Sequence, residues 1–124
     1  MIEILHVDDS QQTLEQVSAI IQDEFLLTTK VALSGNKAIE LLKNGHHFSI
    51  VISDLNMPDG NGIDVYNHIS KYFPNTLFIF FTSDPWCPEL PPVSYYCRRV
   101  WKLEPELLIQ ILLECMQRDL DMVV

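Results

Sequence analysis

The sequence predicts an α/β fold built around a parallel β-sheet. Short apolar runs alternate with segments of helical periodicity along the 124 residues, and this alternation indicates βαβ units. No linker, repeat or low-complexity tract divides the chain, so we predict one domain over residues 1–124. Apolar residues make up 48% and charged residues 20%, as in an ordinary soluble globular protein. A chain of this length needs neither a disulfide nor a metal simply to fold.

Five short segments have the composition of strands. Thr76–Phe81 is almost wholly apolar, and Ser49–Ser53 contains a run of Ile-Val-Ile that is typical of a central parallel strand. In chain order, the predicted strands are Ile2–Val7, Leu26–Ala32, Ser49–Ser53, Thr76–Phe81 and Tyr95–Trp101.

Four segments between and after these strands have helical spacing. Ser10 and Ser34 suit the caps of the first two helices, and the second helix is predicted to stop at Asn44-Gly45. The third is predicted over Ile63–Tyr72, and Pro105 suits the first turn of the last. The residues predicted to face the core are Leu14, Val17, Ile21, Ala38, Leu41, Leu42, Ile63, Tyr66, Ile69, Leu107, Leu108, Ile111, Leu112 and Cys115.

Prolines interrupt the region between the fourth and fifth strands, where the alternation calls for a further helix. Four of the seven prolines lie within eight residues, at Pro85, Pro88, Pro91 and Pro92. A proline in a helix interior costs about 3 kcal/mol. The helix at this place is therefore predicted to be short, displaced or missing.

Charge and cysteine content limit the function classes. Eight Lys+Arg against 17 Asp+Glu give a net charge of −9, which argues against direct binding to nucleic acid or to an anionic membrane surface. The first residues lack the basic region of a signal peptide, and no apolar run approaches the roughly 18 residues of a membrane helix. The three cysteines lack zinc-site spacing, which favours reduced thiols and a cytoplasmic location.

Polar residues stand where four of the predicted strands end. These residues are Asp8, Asp9, Asp54, Thr82 and Lys102. Ligands of an open parallel sheet bind beyond the carboxyl ends of its strands, so the five residues are expected to converge there. Two carboxylates about 4 Å apart repel by roughly 4 kcal/mol at an effective dielectric near 20, and either a raised pKa or a bound cation relieves that repulsion. An all-oxygen ligand set suits Mg²⁺, for which Mn²⁺ can substitute.

The same residues suit phosphoryl transfer. A phosphoryl group needs cationic and donor groups around its oxygens, which Lys102 and Thr82 supply, and an in-line nucleophile. Asp54 is the predicted nucleophile because it alone is expected at mid-sheet on an outward-pointing loop, and a carboxylate can form an acyl phosphate. His6, inside the first strand, is predicted to be a partly buried neighbour of the site and not a phosphoacceptor.

Taken together, these residues make the chain resemble the receiver domains of two-component response regulators over essentially its whole length. The motifs are the acidic pair in Leu5–Ser10, the segment Asp54–Gly62, Thr82-Ser83 and Lys102. Each is weak alone, but their order and spacing together are specific. The resemblance implies a doubly wound five-stranded sheet of flavodoxin-like order 2-1-3-4-5.

The resemblance also implies a metal site. Asp9 and Asp54 are the implied direct ligands of Mg²⁺, with the backbone carbonyl of Asn56 as a third protein ligand. Asp8 is implied to act mostly through metal-bound water.

Phosphorylation of Asp54 is the implied activity. Thr82 is implied to hydrogen bond to the phosphoryl group and Lys102 to pair with it, while Asn56 and Asp84 tune its lifetime. The implied donor is a histidine kinase or phosphotransfer protein, and the signal leaves through a downstream protein partner, with a phosphorylation-dependent dimer left open. The chain is expected to catalyse only its own phosphorylation and dephosphorylation, and so not to be a free-turnover enzyme.

Four residues near the fifth strand depart from the usual family pattern. Leu103 follows Lys102 where the family has proline, Tyr95-Tyr96 replaces a pair of small residues, and Arg99 takes the place of an aromatic switch residue. Together with the prolines, these changes predict that the phosphorylation signal leaves through a remodelled face.

Two other functions remain as alternatives. A pseudo-receiver, acting as a phosphorylation-independent binding module, is favoured by the proline-rich stretch and opposed by the complete acidic set. A metal phosphatase or flavodoxin-like redox protein is disfavoured, because Asp54-Leu55-Asn56 lacks the Asp-x-Asp of haloacid-type phosphatases and Asp8-Asp9 would repel a flavin phosphate.

Overall fold

The computed structural model describes residues 2–123, with side chains described through residue 118, and it confirms the predicted α/β class. The elements are β1 (Ile4–Val7), α1 (Gln11–Phe25), β2 (Thr29–Ala32), α2 (Gly35–Lys43), β3 (Ile50–Ser53), α3 (Gly62–Tyr72), β4 (Leu77–Thr82), β5 (Cys97–Trp101) and α4 (Pro105–Val123). All neighbouring strands are parallel, and the order is β2-β1-β3-β4-β5, as the resemblance implied.

The sheet is covered on both faces, which makes the fold doubly wound. One core layer joins the sheet to α2, α3 and the segment after β4, and the other joins it to α1 and α4. Every residue of β1, β3 and β4 is buried, in agreement with their near-continuous apolar sequences.

Side-chain caps start the first three helices. The Ser10 and Ser34 hydroxyl oxygens accept from backbone N–H groups three residues ahead, which confirms both predicted caps. Asn61 caps α3 in a reciprocal pair with Asp64, so that this helix begins at Gly62, one residue before the prediction.

Three predicted details are wrong. Strand β2 begins at Thr29 and not at Leu26, because Leu26 closes α1 with a left-handed φ of 55° and an N–H bond to the Gln22 carbonyl. Strands β1 and β5 begin two residues later than predicted. Leu107 is 38% exposed because Leu108 occupies the inward stripe of α4, and adjacent helical residues point about 100° apart.

The prediction for the proline-rich region is confirmed. Residues 83–96, all of which the structure describes, contain turns, bends and one isolated bridge between Ser94 and Cys97, but no helix. Leu90 is buried in the core layer shared with α2 and α3. This segment, which we call the helix-free segment, therefore covers the sheet where a helix would otherwise lie.

Candidate functional site

Backbone pairing places three of the predicted site residues at one edge of the sheet. The N–H of Asp8 donates to Ala32, that of Asp54 to Val7 and that of Lys102 to Thr82, at 3.1, 2.9 and 2.9 Å. In each case the parallel ladder continues one residue past the end of a strand. The strands therefore carry these side chains to their common carboxyl end.

Lys102 joins the two buried aspartates. Its Nζ lies 2.9 Å from Asp8 Oδ2 and 3.0 Å from Asp54 Oδ2. The Asp8 side chain is fully buried and that of Asp54 is 12% exposed, so both need charge compensation. Leucine in place of proline after Lys102 has not turned the lysine away from the site.

The remaining oxygens of the two aspartates accept backbone hydrogen bonds. Asp8 Oδ1 accepts from the Ser10 N–H at 2.9 Å, and Asp54 Oδ1 accepts from the Leu55 N–H at 2.7 Å. These contacts fix both carboxylates, which is the preorganisation that a binding or catalytic group requires.

A third carboxylate completes a set that fits a divalent cation. Asp8, Asp9 and Asp54 each offer an oxygen within 4.8 Å of the others, and Asp9 is exposed where the other two are buried. On a six-coordinate Mg²⁺ with ligands at about 2.1 Å, adjacent oxygens lie about 3 Å apart and opposite ones about 4 Å. The all-oxygen chemistry suits Mg²⁺, and a set of this spread fits an ion that two of the carboxylates hold directly and the third through water. The resemblance assigned the same three residues.

The pKa shifts show an anionic site with too little positive charge. Burial raises the pKa of Asp54, and the nearby Asp8 raises it further, against the lowering effect of Lys102. Burial lowers the pKa of Lys102, but its hydrogen bonds to Asp8 and Asp54 outweigh burial and leave it above the usual value. One lysine is therefore held charged beside carboxylates that it only partly compensates.

Thr82 and the two residues implied to tune phosphoryl lifetime lie at the same edge. Thr82 is the last residue of β4, fully buried, and its hydroxyl oxygen accepts from the Asp84 N–H at 3.1 Å. Its O–H proton is left to donate elsewhere. Asn56 and Asp84 both have exposed side chains, and the metal-binding role of the Asn56 carbonyl stays a prediction.

The loop after β3 depends on a glycine. The Gly62 N–H donates to the Leu55 carbonyl at 2.9 Å, and a Cβ at Gly62 would collide with the Asp54 carbonyl oxygen. The Ser53 hydroxyl also donates to that oxygen, at 2.8 Å. No sequence feature pointed to Ser53, because a serine at the end of an apolar strand is common in any sheet.

His6 differs from its prediction. It is fully buried and not partly so, and neither ring nitrogen has a hydrogen-bond partner among the described residues. Burial, helped by the charge of Lys102, lowers the pKa of His6 to about 3. The ring is therefore neutral at physiological pH, packed under the acidic site.

Arg99 is the residue whose contacts the sequence did not reveal. Its guanidinium is partly buried and donates to the carbonyls of Pro85 and Pro91 at 3.3 and 2.8 Å. It holds the helix-free segment against β5. Only the density of prolines, whose carbonyls lack helical partners, could have suggested that such a donor was needed.

Sequence comparison places residues 4–88 in the response regulator receiver domain family. The chain belongs to this family. The match ends within the helix-free segment, before β5 and Lys102, where the chain departs from the family pattern. A comparison with curated protein sequences gave no significant match.

Solved structures extend the likeness over nearly the whole chain. TrrA, a response regulator from Thermotoga maritima crystallised with Mg²⁺ and BeF, has a TM-score of 0.79 at 24% identity, covering 93% of this chain and 99% of its own. The receiver domain of an HD domain-containing protein from Pseudomonas fluorescens Pf-5 has a TM-score of 0.81 at 22% identity, and the match covers 94% of this chain and 95% of that one. A two-component transcriptional regulator from Clostridium phytofermentans has a TM-score of 0.76 at 26% identity, and the match covers 98% of this chain and 96% of that one.

The chain is thus a receiver domain of a two-component system, with an acidic pocket at the carboxyl edge of its sheet. None of the helices in the described part of the chain combines the length and apolar character needed to cross a membrane.

Proposed function

We propose that this receiver domain accepts a phosphoryl group on Asp54 from a histidine kinase or phosphotransfer protein, in a reaction that needs Mg²⁺, and that phosphorylation changes its contacts with a downstream protein. The observation that carries this proposal is the Lys102 ammonium, which lies within 3.0 Å of both Asp8 and Asp54 in the structure. Charge compensation from a residue distant in sequence is expected of a site that must receive an anionic group.

The proposed chemistry is an in-line displacement at phosphorus. An Asp54 carboxylate oxygen attacks, an oxygen–phosphorus bond forms, and the bond from phosphorus to the donor nitrogen breaks, with the electron pair leaving on the imidazole. Lys102 and the Thr82 hydroxyl would meet the phosphoryl oxygens, and Lys102 would exchange its contact with the Asp54 oxygen for one with the incoming group.

The cation is assigned to the three carboxylates. Asp9 and Asp54 would hold Mg²⁺ directly, with Asp8 contributing through water and the Asn56 carbonyl as a further ligand. When bound, the ion would neutralise charge that builds up on the phosphoryl oxygens.

The wider role follows from the same chemistry. The domain would turn over its own aspartyl phosphate and no free substrate, act in the cytoplasm where its kinase donor has ATP, and bind neither nucleic acid nor membrane directly. Trp86 and Val93 of the helix-free segment and Leu103 after β5 are exposed, and we assign to them the remodelled face through which a partner would detect phosphorylation.

Intact-mass spectrometry after incubation with Mg²⁺ and acetyl phosphate tests the proposal. We expect the mass of one phosphoryl group on the wild type, no addition without Mg²⁺, and no addition to Asp54→Asn. Asp59→Asn is a matched control in the same loop, because an asparagine oxygen can still accept from Asn36, and it should be phosphorylated normally.

A pseudo-receiver is the second candidate, favoured by the helix-free segment and by a family match that stops inside it. A pseudo-receiver would show no mass increase with acetyl phosphate or with a co-expressed histidine kinase. In that case Asp54→Asn should bind the partner as the wild type does. A phosphorylated wild type would exclude it.

A further inference from the structure

The ends of α2 and α3, with the loops that follow them, form a part of the chain without acidic residues. Residues 41–53 and 65–83 contain no Asp or Glu, although the chain has 17 of them. The same stretches contain Lys43, Lys71 and three of the four histidines. In a chain with a net charge of −9, this local excess of positive charge is a surface that attracts anionic groups.

The two stretches meet because α2 packs beside α3. Leu42, near the end of α2, and Ile69, near the end of α3, are buried in the same core layer. Each of the two helices leads back to the edge of the sheet where the next strand, β3 or β4, begins. This edge lies opposite the carboxyl edge that carries Asp54.

A groove lies between the two helix ends, and we call it the α2–α3 groove. It has a volume of about 260 Å³, and the residues that line it are Leu42, Lys43, His68, Tyr72 and Phe73. Leu42 is buried, whereas Tyr72 is 58% exposed. The groove therefore presents apolar and aromatic surface that a partner can cover.

Ring contacts hold the aromatic side chains of the groove in place. The His68 ring lies 4.8 Å from the Tyr72 ring and 6.3 Å from the Phe73 ring, and the His47 ring meets Phe73 edge-on at 5.1 Å. The Lys71 ammonium lies 5.3 Å from the centroid of the Tyr72 ring. Side chains that are already ordered lose less conformational entropy when a partner binds.

The lysine charges at the groove are uncompensated. In the part of the chain that the structure describes, neither Lys43 nor Lys71 forms an ion pair. Burial, together with the charges of the two lysines, lowers the pKa of His68, so its ring is mainly neutral at neutral pH. Two ammonium groups beside an apolar groove are therefore available to carboxylates of a partner.

Size and charge indicate a protein segment as the occupant. The volume of about 260 Å³ is below the roughly 300–1,000 Å³ of most small-molecule sites, but it can admit an apolar side chain. Two lysines are too few for nucleic acid, whose binding commonly involves about 6–10 phosphate contacts. Acidic residues on either side of an apolar residue would match both the charge and the groove.

We propose that the α2–α3 groove docks an acidic segment of a partner protein, with an apolar side chain of the partner against Leu42 and Tyr72 and its carboxylates beside Lys43 and Lys71. This contact goes beyond the proposed function and does not depend on it, because the groove shares no residue with the acidic site at Asp54. The domain would then have a second protein contact, separate from the remodelled face.

Fluorescence anisotropy with labelled peptides tests the groove on the intact chain. The probe is a peptide of three Glu-Glu-Leu-Phe repeats, and the control peptide of three Glu-Glu-Ser-Ser repeats keeps its charge without the apolar anchor. We expect the probe to bind at least about fivefold more tightly than the control, the effect of one buried anchor. Binding of the probe should weaken with added NaCl, because the lysines are exposed.

Variants assign the binding to the groove. Lys43→Glu combined with Lys71→Glu should weaken binding of the probe by about tenfold or more, because two attractive contacts become repulsive. Lys37→Glu combined with Arg98→Glu gives the same net charge outside the groove and should stay within about twofold of the wild type. Tyr72→Ala should weaken binding by about fivefold.

Two further measurements remove the dependence on how the variants fold. Amide chemical shifts of the wild type, followed during titration with the probe, should change most at residues 41–47 and 68–73. Acetyl phosphate should phosphorylate the doubly charge-reversed groove variant as it does the wild type, since the groove lies at the other edge of the sheet. Failure of docking and failure of phosphorylation are thus observed separately.

Four results would overturn the inference. The probe would not bind, or it would bind no more tightly than the control peptide, which would leave only a general attraction between charges. The groove variant and its charge-matched control would lose affinity equally, which would make net charge the cause. An oligothymidylate, or vesicles of phosphatidylglycerol, would bind more tightly than the probe, which would make the surface a site for other polyanions.

Discussion

Lys102 compensates the charge of both buried aspartates of the site, although it lies outside the residues matched by the family. It is the one lysine or arginine with an ion pair to a carboxylate among the described residues, and it pairs with two at once. Asp8 is fully buried, and no other cationic side chain among the described residues contacts it. Loss of the lysine would leave two buried negative charges facing one another.

We therefore expect Lys102→Met to lower the free energy of unfolding at neutral pH by about 1–3 kcal/mol, less than for a fully buried pair because the lysine is partly exposed. Urea denaturation measures this change, and phosphorylation by acetyl phosphate should slow in the same variant. The exposed Lys30→Met is the matched control and should change stability by less than about 0.5 kcal/mol. Equal stability of the Lys102 variant and the wild type would contradict the charge-compensation argument.

His6 makes stability depend on pH in a defined window. Its pKa is about 3 in the folded protein against 6.5 for an ordinary histidine, so the unfolded chain binds more protons between these values. Stability contributed by the neutral ring is therefore present above about pH 6.5 and is lost as the pH falls toward 3, by up to about 1.4 kcal/mol per pH unit.

His6→Leu should remove this part of the pH dependence. At about pH 7 it should also raise the free energy of unfolding by about 1–3 kcal/mol, because two buried nitrogens without partners are replaced by apolar atoms. Urea denaturation at about pH 7 and about pH 5 gives both quantities. An unchanged slope in His6→Leu would disprove the assignment.

At the scale of elements, the helix-free segment covers the part of the sheet where a helix was expected. Leu90 is its buried apolar residue, Arg99 supplies its polar attachment, and Trp86 lies across Trp101 at its outer edge. A segment without the regular backbone hydrogen bonds of a helix is expected to open locally at a lower free energy than the rest of the fold.

Leu90→Ala should lower the free energy of unfolding by about 2–5 kcal/mol, because Leu90 is buried in the core layer that the segment shares with α2 and α3. Val93→Ala, in the same segment but exposed, should change it by less than about 0.5 kcal/mol. Hydrogen exchange adds a second measurement. Loss of protection confined to the segment, with global stability unchanged, would mean that the segment unfolds independently.

At the scale of the molecule, a net charge of −9 makes any cation effect easy to mistake for screening. The proposed site predicts that Mg²⁺ also stabilises the folded state by specific binding, in addition to screening. At a Mg²⁺ concentration of about 100 times Kd, binding to the folded state should add about 2.7 kcal/mol to the free energy of unfolding. Thermal melts in MgCl₂ and in NaCl of equal ionic strength separate the two contributions.

Asp9→Asn is the variant that suits this test, because Asp9 is exposed and its loss should leave the fold intact. The variant should keep the response to NaCl and lose most of the additional response to MgCl₂. A wild type that responds alike to the two salts would argue against a cation site at the three carboxylates.

Much of the fold was predictable because it depends on local patterns. The apolar runs of β1, β3 and β4, the serine caps of α1 and α2, and the prolines that exclude a helix after β4 all act within a few residues of sequence. Most errors fall at element boundaries, as at Leu26, whose left-handed φ ends α1 where a strand was predicted to begin.

The site was predictable to the same extent. Asp8, Asp54, Thr82 and Lys102 stand at the ends of apolar runs, and the parallel topology brings all strand ends of one kind together. What lay beyond prediction were the partners of side chains within the site, such as the backbone N–H of Leu55 that fixes one Asp54 oxygen.

The sequence by itself determined the class of fold, the family and the acidic residues of the pocket, because each is encoded in residue types at short spacing. Only the tertiary structure decided that Lys102 bridges Asp8 and Asp54, 94 and 48 residues away, and that Arg99 supports a segment without a helix. Contacts of this kind depend on how distant side chains meet in three dimensions, and no local pattern specifies them.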